Sequence, residues 1–125
     1  MNVPEDLDYT VEHEWIKRIG PEKVRIGVTD YAQDQLGDVV YVELPEAGRS
    51  IVRGDLIAEI ESTKSVGEVY APLTGMISAV NTRVSETPEL VNASPYVDGW
   101  LVEIEYEGEL SGDFLDAEAY RNLTE

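Results

Sequence analysis

Short runs of alternating apolar and polar residues, separated by turn sequences, constrain the fold of this chain most strongly. Two such runs, residues 56–61 and 67–70, flank a small and polar segment at 62–65. Alternation with a period of two is typical of a half-buried strand, and small polar residues favour a tight reversal. The segment therefore predicts a β-hairpin that holds Lys64 at its tip, in solvent.

The same alternation recurs on both sides of this hairpin. Further strands are predicted at residues 9–19, 24–28, 38–44, 50–52, 76–80 and 100–105. For the strand at residues 38–44, alternation predicts Val39 and Tyr41 on one face and Val40, Val42 and Leu44 on the other. Many short strands in so few residues favour a mostly β domain, either a compact sandwich or a barrel.

Two helices are predicted at the periphery of this domain. Thr29 is an N-cap candidate, and Gly37 follows the last turn, which predicts a short helix between them. The tail is predicted to be helical from about residue 112 to 123, with an apolar stripe along one side. That stripe would consist of Phe114, Leu115, Ala119 and Leu123. Residues 81–99, which contain two prolines, are predicted to form a looser connection.

The length of the chain, 125 residues, suits a single domain that covers residues 1–125. We expect its core between about residues 9 and 106. No apolar run is long enough to span a bilayer, and the first residues lack the basic and apolar regions of a signal peptide. We therefore expect a cytoplasmic protein that has no membrane partner.

Acidic residues dominate the charge, with 26 Asp and Glu against 9 Lys and Arg, a net charge of −17. Such a field repels nucleic acid and anionic membranes, so neither is expected as a partner. The acidity could steer the domain onto basic clefts of partner enzymes. It could instead reflect a high-salt cytoplasm, because the acidic residues are scattered along the chain rather than gathered in one block. We favour the second interpretation, which predicts an origin in a halophilic archaeon.

Residues suited to catalysis are scarce. There is no cysteine and only one histidine, His13, and the sequence lacks nucleophile-elbow and phosphate-binding motifs. A metal site needs further ligands at helical or hairpin spacing, so none is predicted. His13 is interpreted as a structural histidine on an edge strand. We therefore do not expect an independent enzyme.

Lys64 has two interpretations, a solvated turn lysine or a lysine that another protein modifies. Its neighbours Thr63 and Ser65 are small and leave the amine accessible. Glu61 lies three residues before it and Gly75 eleven after it, where a modifying enzyme could read a carboxylate and a close backbone turn. Biotin carriers place methionine on both sides of their lysine, and this chain does not, which argues against biotin.

At this point a family resemblance becomes specific. Five segments, at 9–15, 26–33, 36–46, 61–75 and 89–96 with 99–100, are similar to the glycine cleavage system H-protein family, in the family's order and over nearly the whole chain. The central one reads Glu61-Ser-Thr-Lys64-Ser-Val-Gly-Glu-Val-Tyr-Ala-Pro72-Leu-Thr-Gly75 and resembles the family's lipoyl-lysine segment. Lipoyl domains of 2-oxoacid dehydrogenase acyltransferases share the lysine hairpin but lack the segments His13-Glu14-Trp15 and 92–100.

The resemblance implies a flattened β-barrel or barrel-sandwich hybrid, with lipoate attached to Lys64 through an amide bond. It implies a monomeric, non-catalytic carrier that takes an aminomethyl group from glycine decarboxylase, the P protein, to the aminomethyltransferase, the T protein. Dihydrolipoyl dehydrogenase, the L protein, then reoxidises the arm, and a lipoate-attaching enzyme completes the set of partners. The hard chemistry belongs to the cofactors, and the domain supplies delivery.

The resemblance also implies a surface cleft in which acidic residues receive the loaded arm. Glu14 and Glu68 match or approach family positions, and Glu12 adds a third carboxylate beside the expected ammonium. Two alternatives remain open at the level of sequence. One is an H-like relay protein that donates lipoate to another lipoyl-dependent system or serves one. The other is a structural β module in which Lys64 is unmodified.

Overall fold

The computed structural model describes residues 1–110 and 114–125, which form two antiparallel sheets with short helices around them. The strands are β1 (Asp8–Tyr9), β2 (Glu14–Gly20), β3 (Lys23–Val28), β4 (Val39–Glu43), β5 (Ser50–Ile51), β6 (Leu56–Ser62), β7 (Val66–Tyr70), β8 (Gly75–Val80) and β9 (Val102–Glu105). The helices are α1 (Asp30–Leu36), α2 (Thr82–Glu86), α3 (Leu90–Ala93) and α4 (Ala117–Thr124).

The larger sheet has the strand order β1-β2-β3-β9-β8-β5, and the smaller has the order β4-β6-β7. The inner faces of the two sheets share one hydrophobic core, to which Ile16, Ile26 and Ile104 contribute from the larger sheet and Val42 and Ile60 from the smaller. Their burial holds the sheets face to face, as in a sandwich. The predicted mostly β class is confirmed, and its flattened barrel-sandwich form is compatible with this arrangement.

The first helix forms where the sequence predicts it. The Thr29 hydroxyl accepts a hydrogen bond from the backbone N–H of Ala32, and Gly37, with φ of 84°, ends the helix. The prediction of one strand over 9–19 is wrong in its first half. Residues 10–13 turn away from the sheet, and β2 begins only at Glu14, so His13 precedes the strand rather than lying on it.

The alternation predicted for β4 is also wrong. Val39 and Val42 are buried, whereas Tyr41 is exposed. The cause is an irregularity in the pairing with β6 between Val39 and Tyr41, which shifts the register there. A β-bulge of this kind inserts an unpaired residue, so side chains beyond it exchange faces.

The segment predicted as a loose connection contains two short helices, α2 and α3, on either side of Pro88. The C-terminal helix is confirmed but begins later than predicted, because Asp116 is its N-cap. The start predicted at residue 112 lies outside the described residues. Leu115 pairs with Tyr9 of β1 instead of joining the helix. No described helix is long and apolar enough to cross a membrane.

The buried face of α4 differs from the predicted apolar stripe. Ala117 and Tyr120 are its buried residues, whereas Leu123 is 48% exposed. Tyr120 stacks on Tyr9 with ring centroids 4.7 Å apart. The helix therefore packs through one aromatic residue onto the start of the larger sheet, within a second, smaller hydrophobic cluster.

Candidate functional site

The reversal between β6 and β7 is the predicted hairpin, and Lys64 is exposed at its tip. The last strand pair joins Glu61 to Val66. Beyond it, the backbone N–H of Ser62 donates to the carbonyl of Ser65 over 2.8 Å. The Ser62 hydroxyl accepts from the backbone N–H of Ser65 at 3.0 Å and is within 3.3 Å of the N–H of Lys64. These short-range bonds give the lysine a rigid base.

The tip is also attached to the segment that follows α1. The backbone N–H of Thr63 donates to the carbonyl of Asp38 over 3.1 Å. Asn92 of α3 fixes this segment, because its side chain accepts from the N–H of Val39 at 2.8 Å and donates to the carbonyl of Gly37 at 2.9 Å. We call Gly37 and Asp38 the lysine seat, because both contact the tip.

The methylene chain of Lys64 lies against Gly37. A Cβ atom at residue 37 would come within 3.2 Å of the lysine Cε and 3.7 Å of its Cδ. The residue also has a positive φ, which glycine adopts without steric cost. Glycine at this position therefore lets the helix end and the lysine stem approach each other closely.

A groove of about 320 Å³ lies between α1 and β7, and Leu36, which precedes the lysine seat in the chain, is among its lining residues. Its lining is mostly apolar and includes Val28, Ala32, Leu36, Ile60 and Val69, with Glu12, His13, Tyr31, Gln35, Gly67 and Glu68. A Cβ at Gly67 would come within 2.9 Å of the Leu36 side chain. The small residue in β7 therefore allows α1 to lie close along one wall of the groove.

Of the three carboxylates expected in the arm cleft, Glu12 and Glu68 line this groove and Glu14 does not. Glu14 is only 2% exposed. Its carboxyl accepts from the Thr10 hydroxyl at 3.1 Å and from the backbone N–H of Tyr70 at 3.0 Å. It thereby connects β2 of the larger sheet to β7 of the smaller one, behind the groove wall.

Burial changes the ionisation of Glu14. Desolvation raises its pKa to about 8, although both hydrogen bonds act in the opposite direction. A raised pKa means that the carboxyl is mostly protonated at neutral pH. Glu12 and Glu68 are therefore the carboxylates that can face a guest directly.

The two residues expected to guide lysine modification lie at different places. Glu61 is exposed on the stem of the hairpin, close to the tip. Gly75 begins β8 in the other sheet, where a Cβ atom would come within 2.2 Å of the carbonyl oxygen of Glu105. The close pairing of β8 with β9 therefore accounts for this glycine.

His13 lines the groove, a place that its sequence context does not predict. Its Nδ1 atom is 2.8 Å from the Tyr120 hydroxyl, which is 2.7 Å from the Thr29 hydroxyl. The ring also lies 4.7 Å from that of Tyr31, between centroids. These contacts join residues up to 107 positions apart, and no local sequence signal reports them.

A hairpin that presents an exposed lysine near a partly apolar groove is an arrangement typical of a carrier domain. The comparisons specify the class further. The family model described as glycine cleavage H-protein matches residues 7–125. A glycine cleavage system H protein of Nocardia farcinica is 54% identical over 125 residues, which cover 96% of this chain and 95% of that protein. One from Mycobacterium bovis is 50% identical, with 99% and 98% covered.

A solved structure agrees with these relatives. The crystal structure of a glycine cleavage system H protein from Mycobacterium marinum superposes with a TM-score of 0.87 at 37% identity, covering 96% of this chain and 97% of that one. The chain therefore belongs to the glycine cleavage H-protein family. Proteins of this family are non-catalytic carriers with lipoate on a lysine, so the predicted carrier role in glycine cleavage is confirmed.

The predicted archaeal origin is not supported. The relatives come from Nocardia, Mycolicibacterium and Mycobacterium, so the acidity of the chain does not by itself identify a halophile. Scattered acidic residues arise in other settings as well, because a high net charge also serves solubility and the steering of partners.

Proposed function

We propose that Lys64 is the lysine that carries the lipoyl group. The observation that supports this most strongly is its exposed place at a hairpin tip, with its stem against Gly37, the residue after the groove-lining Leu36. Lys17 and Lys23 instead belong to strands of the larger sheet, and Lys23 lies 3.4 Å from Glu105 in an ion pair. Lys64 is the lysine that is exposed at a hairpin tip and contacts the residue that ends α1.

The groove fits a lipoyl arm. Its apolar walls suit the hydrocarbon chain and the ring sulfurs, while Glu12 and Glu68 supply negative charge. When bound, lipoate supplies the sulfur that accepts an aminomethyl group. The residues of this chain bind the arm, exclude water from its end and place carboxylates near the amine, which is cationic at neutral pH.

Glu14 acts in this proposal from behind the groove. Its hydrogen bond to the N–H of Tyr70 fixes β7, which carries Glu68. The buried carboxyl therefore helps to determine where the groove wall lies and leaves the direct contact with the amine to Glu12 and Glu68. Glu14 remains part of the arm-docking site as the residue that orders its wall.

The lipoyl arm alternates between the groove and the active sites of the partner enzymes. Because the arm is tethered, its encounters with successive active sites occur at a raised effective concentration. The partners are glycine decarboxylase, the aminomethyltransferase and dihydrolipoyl dehydrogenase, together with an enzyme that attaches lipoate. Glu61 is proposed to contact the attaching enzyme, since its exposed carboxylate lies on the hairpin stem. Gly75 would contribute through the backbone course it allows.

Residues 1–125 form one domain, with two sheets around a shared core. The protein acts as a monomer in the cytoplasm, where the other components and their substrates are expected.

The test is intact-mass measurement of protein produced with lipoate and a lipoate-attaching enzyme. Wild-type protein should gain the mass of one lipoyl group, and Lys64→Arg should gain none because the arginine side chain cannot form the amide. Lys17→Arg and Lys23→Arg are matched controls that should be lipoylated normally. A lipoyl mass on Lys64→Arg would refute the assignment.

A further inference from the structure

His13 has an unusual backbone conformation. It is the only non-glycine residue with a positive φ, 66°, within residues 1–110 and 114–125. Both of its backbone groups are held, since its N–H donates to the carbonyl of Thr10 and its carbonyl accepts from the N–H of Thr29, each over 3.1 Å. Left-handed backbone is uncommon outside glycine and persists where the surroundings enforce it. The surrounding hydrogen bonds therefore hold the backbone of His13, and with it the start of the side chain, in this conformation.

The ring of His13 lies between two structural units. On one side it lines the groove, with Glu12 next to it in the chain, Tyr31 from α1 and Glu68 from β7 among the other lining residues. On the other side it meets Tyr120 of α4 edge-on, with ring centroids 5.8 Å apart. The imidazole therefore lies between the groove and the C-terminal helix.

The hydrogen-bond donors in this chain can be assigned from their partners. The Thr29 hydroxyl is buried and already accepts from the N–H of Ala32. Its own proton goes to the Tyr120 oxygen, and the Tyr120 proton then goes to Nδ1 of His13. This order lets both buried hydroxyl groups donate once. It leaves the histidine proton on Nε2.

We infer that Tyr120 is a positioning residue for the arm groove, because its hydrogen bond fixes the orientation and the Nε2–H tautomer of the His13 ring that closes one side of it. This inference rests on the proposed docking of the arm in the groove. It makes the C-terminal helix part of the arm site although no residue of that helix lines the groove.

The charge state of His13 matters to a cationic guest. A protonated imidazole would compete with the guest amine for Glu12 and Glu68, which line the same groove. Burial lowers the pKa of His13, against a smaller opposing effect of Glu12. The hydrogen bond from Tyr120 acts in the same direction as burial, since Nδ1 can gain a proton only if the hydroxyl chain reverses.

Nitrogen-15 NMR of the imidazole gives a direct test that needs no lipoate. His13 is the single histidine of the chain, so selective labelling yields one pair of ring signals. Wild-type protein should show the Nε2–H tautomer. Tyr120→Phe retains the ring that stacks on Tyr9 and removes only the hydroxyl, so the tautomers should mix and the His13 pKa should rise. A dominant Nδ1–H tautomer in the wild type would overturn the inference.

A second measurement connects this chain to the arm. In lipoylated protein loaded with the aminomethyl group, Tyr120→Phe should shorten the lifetime of the loaded form by about fivefold, which corresponds to one neutral hydrogen bond. The control is Arg121→Gln, which loosens α4 from Val3 and Glu5 without touching His13 and should leave the lifetime unchanged. Equal lifetimes for Tyr120→Phe and wild type would refute the positioning role.

Failure of the inference is distinguishable from failure of the proposed function. If Lys64 is not the lipoyl site, Lys64→Arg will still gain the mass of a lipoyl group, whatever the state of the imidazole. If Lys64 is lipoylated but Tyr120→Phe alters neither the tautomer nor the lifetime, only the role of Tyr120 is refuted.

Discussion

The stem of Lys64 rests on the backbone of Gly37, with 3.2 Å between the lysine Cε and the place a Cβ of residue 37 would occupy. Two consequences follow for a lysine that an enzyme must find. The contact limits the directions in which the side chain leaves the hairpin, and it places the stem against the end of α1, one residue beyond the groove-lining Leu36. A glycine in one element thus sets the orientation of a lysine in another.

Replacing Gly37 with alanine should therefore have two separable effects. The positive φ of 84° would cost about 1–3 kcal/mol of folding free energy, and the new methyl group would displace the lysine stem. Gly48→Ala is the matched control, because Gly48 has a φ of 94° but nothing within 4 Å of an added Cβ. Urea unfolding should show a lower free energy of unfolding for both variants, whereas the rate of lipoylation should fall only for Gly37→Ala. Equal lipoylation rates would mean that the contact does not guide the lysine.

We expect Asn92 to be essential for the backbone conformation of the lysine seat. Asn92→Asp keeps an acceptor for the N–H of Val39 but loses the donor that serves the Gln33 side chain and the Gly37 carbonyl, each at 2.9 Å. A carboxylate facing two acceptor oxygens should reduce the free energy of unfolding by about 2–4 kcal/mol. Asn122→Asp, which makes the same change at an exposed helix position, should cost far less. Similar urea midpoints for the two variants would contradict this account.

Local signals were sufficient for the elements around Lys64. Period-two alternation identified the hairpin, and Thr29 with Gly37 identified α1, because caps and turns are decided by residues a few positions apart. The start of the C-terminal helix was misplaced because Leu115 is drawn into a bridge with Tyr9, a contact more than 100 residues away in sequence. Tertiary pairing overrides local propensity there.

The inner part of the site could not be predicted for the same reason. The position of Glu14 depends on its bond to Tyr70, 56 residues away, and the bulge in β4 depends on its pairing with β6. The chain has 26 acidic residues, and nothing in the local sequence distinguishes the buried Glu14 from the exposed ones. The family resemblance supplied a carboxylate at this position but not its protonation.

Glu14 should make stability depend on pH in a specific window. Its pKa is about 8 in the folded protein against 4.5 for the ordinary side chain, so the folded state holds one more proton than the unfolded state between these values. Stability should therefore fall as pH rises through this window, by up to about 1.4 kcal/mol per pH unit. Glu14→Gln removes the titration, and the difference between variant and wild type isolates this term from other groups.

The measurement is urea unfolding from pH 5 to 9 for Glu14→Gln and wild type. The stability difference should change in favour of the variant as pH rises. Glu61→Gln, which removes an exposed glutamate, is the control and should follow the wild-type curve closely. A pH-independent difference between Glu14→Gln and wild type would show that the carboxyl is ionised throughout.

The outer face of the smaller sheet carries like charges in register, and this predicts a salt effect on stability. Glu59 of β6 lies opposite Glu43 of β4 and Glu68 of β7. Like charges directly opposite each other in a sheet are destabilising, so Glu59→Gln should stabilise the protein by about 1 kcal/mol at low salt. At about 1 M KCl, where the Debye length is about 3 Å, most of the gain should disappear.

Thermal melts of Glu59→Gln and wild type in dilute and concentrated KCl would measure this. Glu107→Gln, an exposed glutamate in the turn after β9, makes the same change of net charge without a facing pair and should raise the midpoint less. If the two variants gain equally, the repulsion comes from the overall charge of −17 and not from the three facing glutamates. If wild-type midpoints are equal in dilute and concentrated KCl, the interpretation of the acidity as an adaptation to salt is wrong as well.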